Sequence, residues 1–124
     1  MTSIQQINVL SISGSLRSDS FNRKLLQIAK AIATEFGSSI REVDLKELNL
    51  PLFDADLRAE RFPEPVLKLK REIEASDVLF IATPEYNHSI PGVLKNAIDW
   101  ASDKTNPFSG KVAAIFGVST GLYG

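Results

Sequence analysis

The sequence predicts an α/β fold in which one parallel β-sheet carries helices on both faces. Segments rich in β-branched residues and leucine alternate along the chain with segments whose apolar residues recur every three or four positions. Alternation of this kind is typical of parallel strands joined by right-handed helical crossovers. Several of the strand-like segments are apolar almost throughout, which is the pattern of strands covered on both faces.

The first strand is predicted over Ile7–Ile12, a short and mostly apolar run. A loop rich in glycine and serine, Ser13–Ser20, separates it from a helix that is expected to end before Gly37. The helix is predicted from apolar residues at helical spacing, which we interpret as one face of an amphipathic helix: Phe21, Leu25, Ile28, Ala29, Ile32 and Phe36.

The second strand is predicted over Ser39–Leu45, where polar and apolar residues alternate as they do in a strand nearer the sheet edge. A loop rich in proline and aspartate follows over Asn49–Pro63. The second helix begins at Glu64, with Pro65 tolerated in its first turn.

The third strand, Asp77–Thr83, is the strongest strand signal in the chain. It is followed by a loop over Pro84–Pro91, and by a third helix with apolar residues at Val93, Leu94, Ala97, Ile98 and Ala101. A fourth strand is predicted over Lys111–Val118, before a loop of small residues over Ser119–Gly124.

This order of elements predicts a doubly wound, flavodoxin-like sheet with strand order 2-1-3-4, formed by residues 1–124 as a single domain. A flavodoxin-like sheet has a fifth strand, which we expect to be absent from this sequence, so that the domain is incomplete at its C-terminus. The segment Lys111–Val118 has no inward charge and no interior proline, unlike natural edge strands. Its pattern is that of a strand with a neighbour on each side, so we expect the fifth strand to belong to a longer form of the protein.

The composition argues against several classes of function. A net charge of −1 argues against a general nucleic-acid binder. The absence of cysteine and the single histidine exclude thiolate catalysis and zinc sites of the His/Cys kind, and no metal is expected. No signal peptide is evident and no apolar stretch approaches the ~20 residues that span a bilayer. We therefore expect a cytoplasmic protein without membrane insertion.

The first loop has the residues of a phosphate-binding site. Gly14 permits a tight turn, Ser15, Ser20 and Asn22 offer neutral donors, and Arg17 offers a charged fork at a helix N-terminus. The loop contains neither G-x-G-x-x-G nor the lysine-bearing P-loop motif. We therefore predict a monophosphate held without a metal. The alternative is a serine-rich turn with a helix cap and a solvated arginine.

The loop Pro84–Pro91 is predicted to present a surface for a flat ring. Its two prolines stiffen it, Tyr86 offers an aromatic face, and Asn87 can bind the polar edge of a heterocycle. We assign Glu85 a binding role and expect His88 to be a surface or packing residue, so no catalytic residue is predicted. The alternative is an ordinary rigid loop with a buried tyrosine.

With both loops placed, the chain resembles the NADPH-dependent FMN reductase family, which includes bacterial quinone, chromate and azo-dye reductases. The resemblance covers nearly the whole chain, and the segment from PEYN to LKNAIDW is highly specific. The segments that carry it are GSLRSDSFN (Gly14–Asn22), LPLFDAD (Leu50–Asp56), TPEYNHSIPGVLKNAIDWAS (Thr83–Ser102) and FSGK (Phe108–Lys111).

The resemblance implies an enzyme that passes hydride from NADPH or NADH, through tightly bound FMN, to a quinone-like or other small-molecule acceptor. It implies that the FMN phosphate is bound by Ser15, Arg17, Ser20 and Asn22. It further implies that the isoalloxazine ring is lined by Pro84, Glu85, Tyr86 and Asn87, with Ser119 near the ring's other side.

The resemblance also implies a homodimer or homotetramer, in which four residues shape the third helix and a subunit interface: Lys95, Asn96, Asp99 and Trp100. Family members continue beyond the equivalent of Gly124, so this chain is expected to be C-terminally shortened. Two other functions remain open from the residues alone. One is a flavodoxin-type electron carrier, and the other is a truncated flavodoxin-like fragment without enzymatic activity.

Overall fold

A computed structural model describes residues 4–121, so the last three residues of the predicted loop Ser119–Gly124 lie outside the described part. Within it, four parallel strands form one sheet, and helices join them. The elements in chain order are β1 (Asn8–Ser13), α1 (Phe21–Glu35), β2 (Ser39–Val43), α2 (Leu45–Leu48), α3 (Ala55–Glu60), α4 (Glu64–Glu74), β3 (Val78–Ala82), α5 (Gly92–Ser102) and β4 (Val112–Phe116).

The strand order β2-β1-β3-β4 confirms the order predicted from the sequence. In the register of the sheet, Ser13 of β1 lies beside Ala82 of β3, and Ala82 lies beside Phe116 of β4. The carboxyl ends of these three strands are therefore level. The loops that follow them leave the sheet at the same edge, which is where ligands bind in sheets of this type.

The main core lies between the sheet and the helices α4 and α5. It is formed by alternate residues of the strands and by the inner faces of the two helices: Leu10, Ile12, Leu79, Ile81, Leu69, Ile73, Leu94, Ala97 and Ala101. Burying each large side chain in this set contributes roughly 1.5–3 kcal/mol. The core fixes the strand ends that bear the three loops.

Helix α1 buries a different face from the one that the sequence pattern predicts. Leu26 is fully buried and Asn22 is 4% exposed, whereas Ile28 and Ile32 are 58% and 51% exposed. Phe36 is the C-cap and is 86% exposed. Each helical residue advances about 100° around the axis, so a face shifted by one residue points in a different direction. The interpretation of the apolar stripe as the buried face is wrong for most of its residues.

A short helix, α3, replaces part of the predicted loop Asn49–Pro63, and another, α2, lies just before that loop, at the end of the predicted second strand. Each begins at an aspartate cap: Asp44 accepts from the Lys46 N–H and Asp54 from the Asp56 N–H, both at 2.8 Å. Such caps satisfy N–H groups that have no partner within the helix. Because Asp44 caps α2, the second strand ends at Val43 and not at the predicted Leu45.

The loop between α2 and α3 is held by α5. The Pro51 carbonyl accepts from Asn96 Nδ2 at 2.9 Å and from Trp100 Nε1 at 2.8 Å. The Phe53 N–H donates to Asn96 Oδ1 at 2.8 Å. Asn96 and Trp100 therefore brace this loop. Lys95 and Asp99 form an ion pair with each other at 2.6 Å on the outer side of α5.

Strand β4 lies at one edge of the sheet in the part of the chain that the structure describes. Val112 and Ile115 are 66% and 67% exposed. The predicted second neighbour of this strand is thus not present among residues 4–121. None of the helices in this range combines the length and apolar character that crossing a bilayer requires.

Candidate functional site

The loops after β1, β3 and β4 meet at the carboxyl edge of the sheet and surround an open cavity of about 240 Å³. Backbone hydrogen bonds extend the sheet pairing into these loops. The Gly14 N–H donates to the Ala82 carbonyl at 2.7 Å, and the Thr83 N–H donates to the Phe116 carbonyl at 3.0 Å. The three loops are therefore fixed to one another at the base of the cavity.

Two glycines allow this close approach. A Cβ atom on Gly14 would lie 2.5 Å from Thr83 Oγ1, and one on Gly117 would lie 2.5 Å from the Thr83 carbonyl oxygen. Both distances are well below normal van der Waals contact. Thr83 therefore lies between two loops, and their close approach to it requires glycine at positions 14 and 117.

Two serine hydroxyls at one end of the cavity already use their oxygens as acceptors. Ser20, the N-cap of α1, accepts from the Asn22 N–H at 3.2 Å, and Ser15 accepts from the Arg17 N–H at 3.3 Å. A hydroxyl has one proton to donate in addition to its acceptor sites. With their acceptor roles taken within the loop, both serines retain that proton for a ligand.

The same end of the cavity has an excess of positive charge. Helix α1 has no acidic residue in its first turn, although the positive end of a helix dipole favours one. Arg17 lines the cavity and forms no salt bridge with any residue between 4 and 121. Lys24 pairs with Asp19 at 2.9 Å, and its hydrogen bond lowers the pKa of that exposed carboxyl. An anion would find donors and few competing carboxylates here.

The loop after β3 forms a tight hairpin at the other end of the cavity. Tyr86 and Ser89 exchange backbone hydrogen bonds of 2.9 and 3.1 Å. Asn87 and His88, between them, have φ angles of 52° and 65°, as in a type I′ turn. Glu85 Oε1 accepts from the His88 N–H at 2.7 Å. The carboxylate of Glu85 thus supports the hairpin.

The cavity brings together all but one of the predicted site residues. Its lining includes Ser15, Arg17, Ser20, Asn22, Pro84, Glu85, Tyr86 and Ser119. Asn87 lies at the hairpin tip, outside the lining. The His88 side chain is fully exposed, in agreement with the expected surface position. No cluster of metal-ligating side chains occurs among residues 4–121.

The sequence prediction missed other lining residues: Phe21, Thr83, Val118 and Thr120. Phe21 belongs to the apolar face predicted for α1, and Val118 is the last residue of the fourth predicted strand. Thr83 follows a buried strand directly, and that position was a usable signal. The other lining residues lie in the loops after β1, β3 and β4 or at the first turn of α1.

The sequence profile of the family described as NADPH-dependent FMN reductase matches residues 7–124 of the chain. The chain belongs to the NADPH-dependent FMN reductase family. The match covers each strand and helix described above, together with the three loops around the cavity. It confirms the resemblance inferred from the loop motifs.

Relatives with this family's activities are similar over almost the whole chain. An NAD(P)H-dependent FMN reductase of Pseudomonas aeruginosa is 50% identical over 119 residues, which are 95% of this chain and 63% of that protein. A quinone reductase of Escherichia coli is 39% identical over 123 residues, or 97% of this chain and 64% of that protein. The chain therefore spans less than two thirds of the length of these relatives.

A solved structure similar to this one is that of a flavoenzyme NAD(P)H:(acceptor) oxidoreductase from Paracoccus denitrificans. It superposes with a TM-score of 0.80 at 42% identity, over 94% of this chain and 63% of that one. The chain thus shares the flavodoxin-like fold of this structure. An azoreductase from Bacillus anthracis, at 18% identity and a TM-score of 0.70, shares the fold.

Proposed function

We propose that the protein binds FMN in this cavity and transfers hydride from NAD(P)H through it to a quinone-like or other small acceptor. The observation that carries the proposal is the pair of serine hydroxyls at the N-terminus of α1. Ser15 and Ser20 accept hydrogen bonds from their own loop and keep their protons for a ligand. The family membership and the names of the relatives support the same activity.

The donor set fits a phosphate group. Ser15, Ser20 and Arg17 would hold it by hydroxyl and guanidinium donors, with the positive end of α1 beneath it. Asn22 would add its free amide hydrogen, since its other polar contacts are made within the protein. Phosphate oxygens accept hydrogen bonds only, so a site composed of donors selects them.

The hairpin after β3 and the loop after β4 would hold the ring system. Pro84, Glu85, Tyr86 and Asn87 would line one side of the ring, and Ser119 would lie near its other side. Tyr86 is 53% exposed, so its ring is accessible to an aromatic ligand. The flavin supplies the hydride chemistry when bound. The residues of the chain orient the ring and leave access for the nicotinamide and then the acceptor.

We propose that the assembly is a homodimer or homotetramer and that the protein acts in the cytoplasm. Phe21 and Tyr86 line the cavity and are about half exposed, at 49% and 53%. A partner subunit over these rings would shield the cavity from water. The donor NAD(P)H is supplied by the metabolism of the cell interior. Light scattering of the purified protein, with and without FMN, measures the assembly.

The first test of the proposal compares FMN with riboflavin, which lacks the phosphate. Quenching of flavin fluorescence measures both dissociation constants. We expect FMN to bind at least about 30-fold more tightly, because charged hydrogen bonds contribute roughly 1.5–3 kcal/mol each. Equal affinities would show that the cavity is not a phosphate site.

The second test separates an enzyme from a flavodoxin-type electron carrier. NADPH or NADH is mixed with the FMN-loaded protein and excess benzoquinone in the absence of oxygen. We expect many turnovers, with one NAD(P)H oxidised for each quinone reduced to hydroquinone. A protein that binds FMN but does not oxidise NAD(P)H would be a carrier or an inactive fragment, and not a reductase.

A further inference from the structure

Arg23, in the first turn of α1, contacts the first loop from behind the cavity. Its Nε donates to the Ser15 carbonyl at 3.3 Å. Its two terminal nitrogens donate to the Asp44 carboxylate at 2.9 and 3.2 Å. The two side chains are only 22% and 20% exposed. Neither residue lines the cavity, so this guanidinium is not placed to bind a ligand there.

The Ser15 carbonyl is thereby fixed in direction. It also accepts from the Ser13 hydroxyl at 3.3 Å. The described chain contains no cis peptide, and in a trans peptide the C=O and the following N–H point in opposite directions. The Leu16 N–H therefore points away from Arg23. It has no hydrogen-bond partner among residues 4–121, and its neighbours Ser15 and Arg17 both line the cavity.

We infer that Arg23 is a positioning residue, which turns the Ser15–Leu16 peptide so that the Leu16 N–H faces the bound phosphate. The inference rests on the proposed phosphate site. Asp44 holds the guanidinium in place and neutralises its charge, so Arg23 acts through geometry rather than through long-range attraction. Arginine suits this task because its planar fork engages the carboxylate and leaves Nε for the carbonyl. The compact ammonium of lysine has no such fork.

Asp44 extends the support to a second element. Besides binding Arg23, its carboxylate caps α2 by accepting from the Lys46 N–H at 2.8 Å. The Arg23–Asp44 pair thus connects the junction of β2 and α2 to the loop after β1. The direction of the Ser15–Leu16 peptide therefore depends on residues of three elements.

The variants that test this inference change the two-point contact between Arg23 and Asp44 and leave the neighbouring residues as they are. Arg23→Lys retains the charge but loses the bidentate contact, and Asp44→Asn retains the shape and the capping oxygen. Arg58→Lys is the matched control, because Arg58 pairs with Asp103 at 3.2 Å, is partly buried and lies outside the cavity lining. Inorganic phosphate is titrated against the ¹⁵N-labelled protein, with the Leu16 amide resonance as the probe.

In the parent we expect phosphate to shift the Leu16 resonance. Arg23→Lys should weaken phosphate binding about tenfold, with a smaller loss in Asp44→Asn and none in Arg58→Lys. FMN affinity should fall in the same variants while riboflavin affinity changes less than about threefold, a selectivity that a general loss of stability would not produce. Melting curves of each variant verify that it is folded.

The inference is overturned if phosphate leaves the Leu16 resonance unmoved, if Arg23→Lys binds phosphate within twofold of the parent, or if Arg58→Lys shows an equal loss. The proposed flavin function has a separate failure. If the phosphate shift depends on Arg23 but FMN and riboflavin bind equally, the role of Arg23 is supported and the FMN proposal is contradicted.

Discussion

Asn22 and Val118, 96 residues apart in the chain, are joined by two hydrogen bonds. Asn22 Oδ1 accepts from the Val118 N–H at 3.0 Å, and Nδ2 donates to the Val118 carbonyl at 3.3 Å. The pair connects the N-terminus of α1 to the loop after β4, which carries Ser119. The two ends of the proposed flavin site are thus held together by one amide side chain.

The change Asn22→Ala should loosen this connection. Two hydrogen bonds are lost and the Val118 backbone groups are left without partners, so unfolding in urea should show a loss of about 1–3 kcal/mol. Asn106→Ala is the control, because its side chain also accepts from a backbone N–H, that of Phe108 at 3.1 Å, but on an exposed turn. Similar losses in the two variants would contradict a special role for Asn22.

Gly117→Ala tests the close approach of the loops. The added methyl would lie 2.5 Å from the Thr83 carbonyl oxygen, a backbone atom that cannot rotate away. We expect a loss of about 1–3 kcal/mol, typical of overpacking, together with weaker FMN binding. Gly92→Ala is the matched control: it has open space around its Cβ and lies in helix α5, so it should be neutral or slightly stabilising. A neutral Gly117→Ala would show that the strand ends are less rigid than described.

The strand order and the convergence of three loops could be predicted because they follow from periodicity and from the rules of parallel sheets. The buried face of α1 could not. Its sequence carries two adjacent apolar stripes, one through Leu26 and Ala33 and one through Ile28 and Ile32. Spacing alone does not show which stripe meets the sheet. In the structure the face with Asn22 and Leu26 points toward the sheet, and only in that orientation can Asn22 bond to Val118.

The supporting residues of the site could not be predicted from the sequence for a different reason. Arg23 and Asp44 are ordinary charged residues of a helix and a strand end, and their contact is made across 21 positions. Within the chain, Asn96 and Trp100 both donate to the Pro51 carbonyl, and their place at a subunit interface stays a prediction. Pairings between distant segments depend on tertiary distances that residue types and spacing do not contain.

Arg17→Ala should weaken FMN binding by roughly 1.5–3 kcal/mol, the contribution of a hydrogen bond to a charged group. Riboflavin binding should change much less, because riboflavin has no phosphate for Arg17 to contact. Lys24→Ala is a control of equal charge, because Lys24 lies in the first turn of α1, pairs with Asp19 and does not line the cavity. Equal effects of the two changes on FMN would indicate general electrostatic attraction and not a direct contact.

His88 tests whether the protein supplies an acid or a base. Its side chain is fully exposed and its φ angle is 65°, a conformation that glycine adopts more easily. His88→Gly should therefore be stabilising by a few tenths to about 1 kcal/mol, and the rate of NAD(P)H oxidation should remain within about tenfold of the parent. Loss of a true general acid typically costs 10²–10⁴-fold. A fall of that size in both His88→Gly and His88→Ala, with FMN still bound, would assign His88 a role in the chemistry.

Acid should weaken the support that Asp44 gives to the first loop. The hydrogen bonds from Arg23 are the main cause that lowers the pKa of Asp44; burial acts against them, and the Lys46 N–H and the Arg23 charge add to them. A carboxyl whose pKa is lower in the folded state contributes stability above its unfolded pKa, near 4, and that contribution is lost as the pH falls through the folded pKa.

The unfolding free energies of the parent and Asp44→Asn should therefore differ by a constant amount from about pH 7 to about pH 5, and the difference should shrink below about pH 4. Arg23→Gln removes the main cause of the lowered pKa, so its stability should depend less steeply on acid than that of the parent. Urea unfolding at a series of pH values measures all three proteins. If the unfolding free energies of the parent and Asp44→Asn stay a constant amount apart down to about pH 3, Asp44 is not held by Arg23 in solution. The positioning role of Arg23 would then be contradicted.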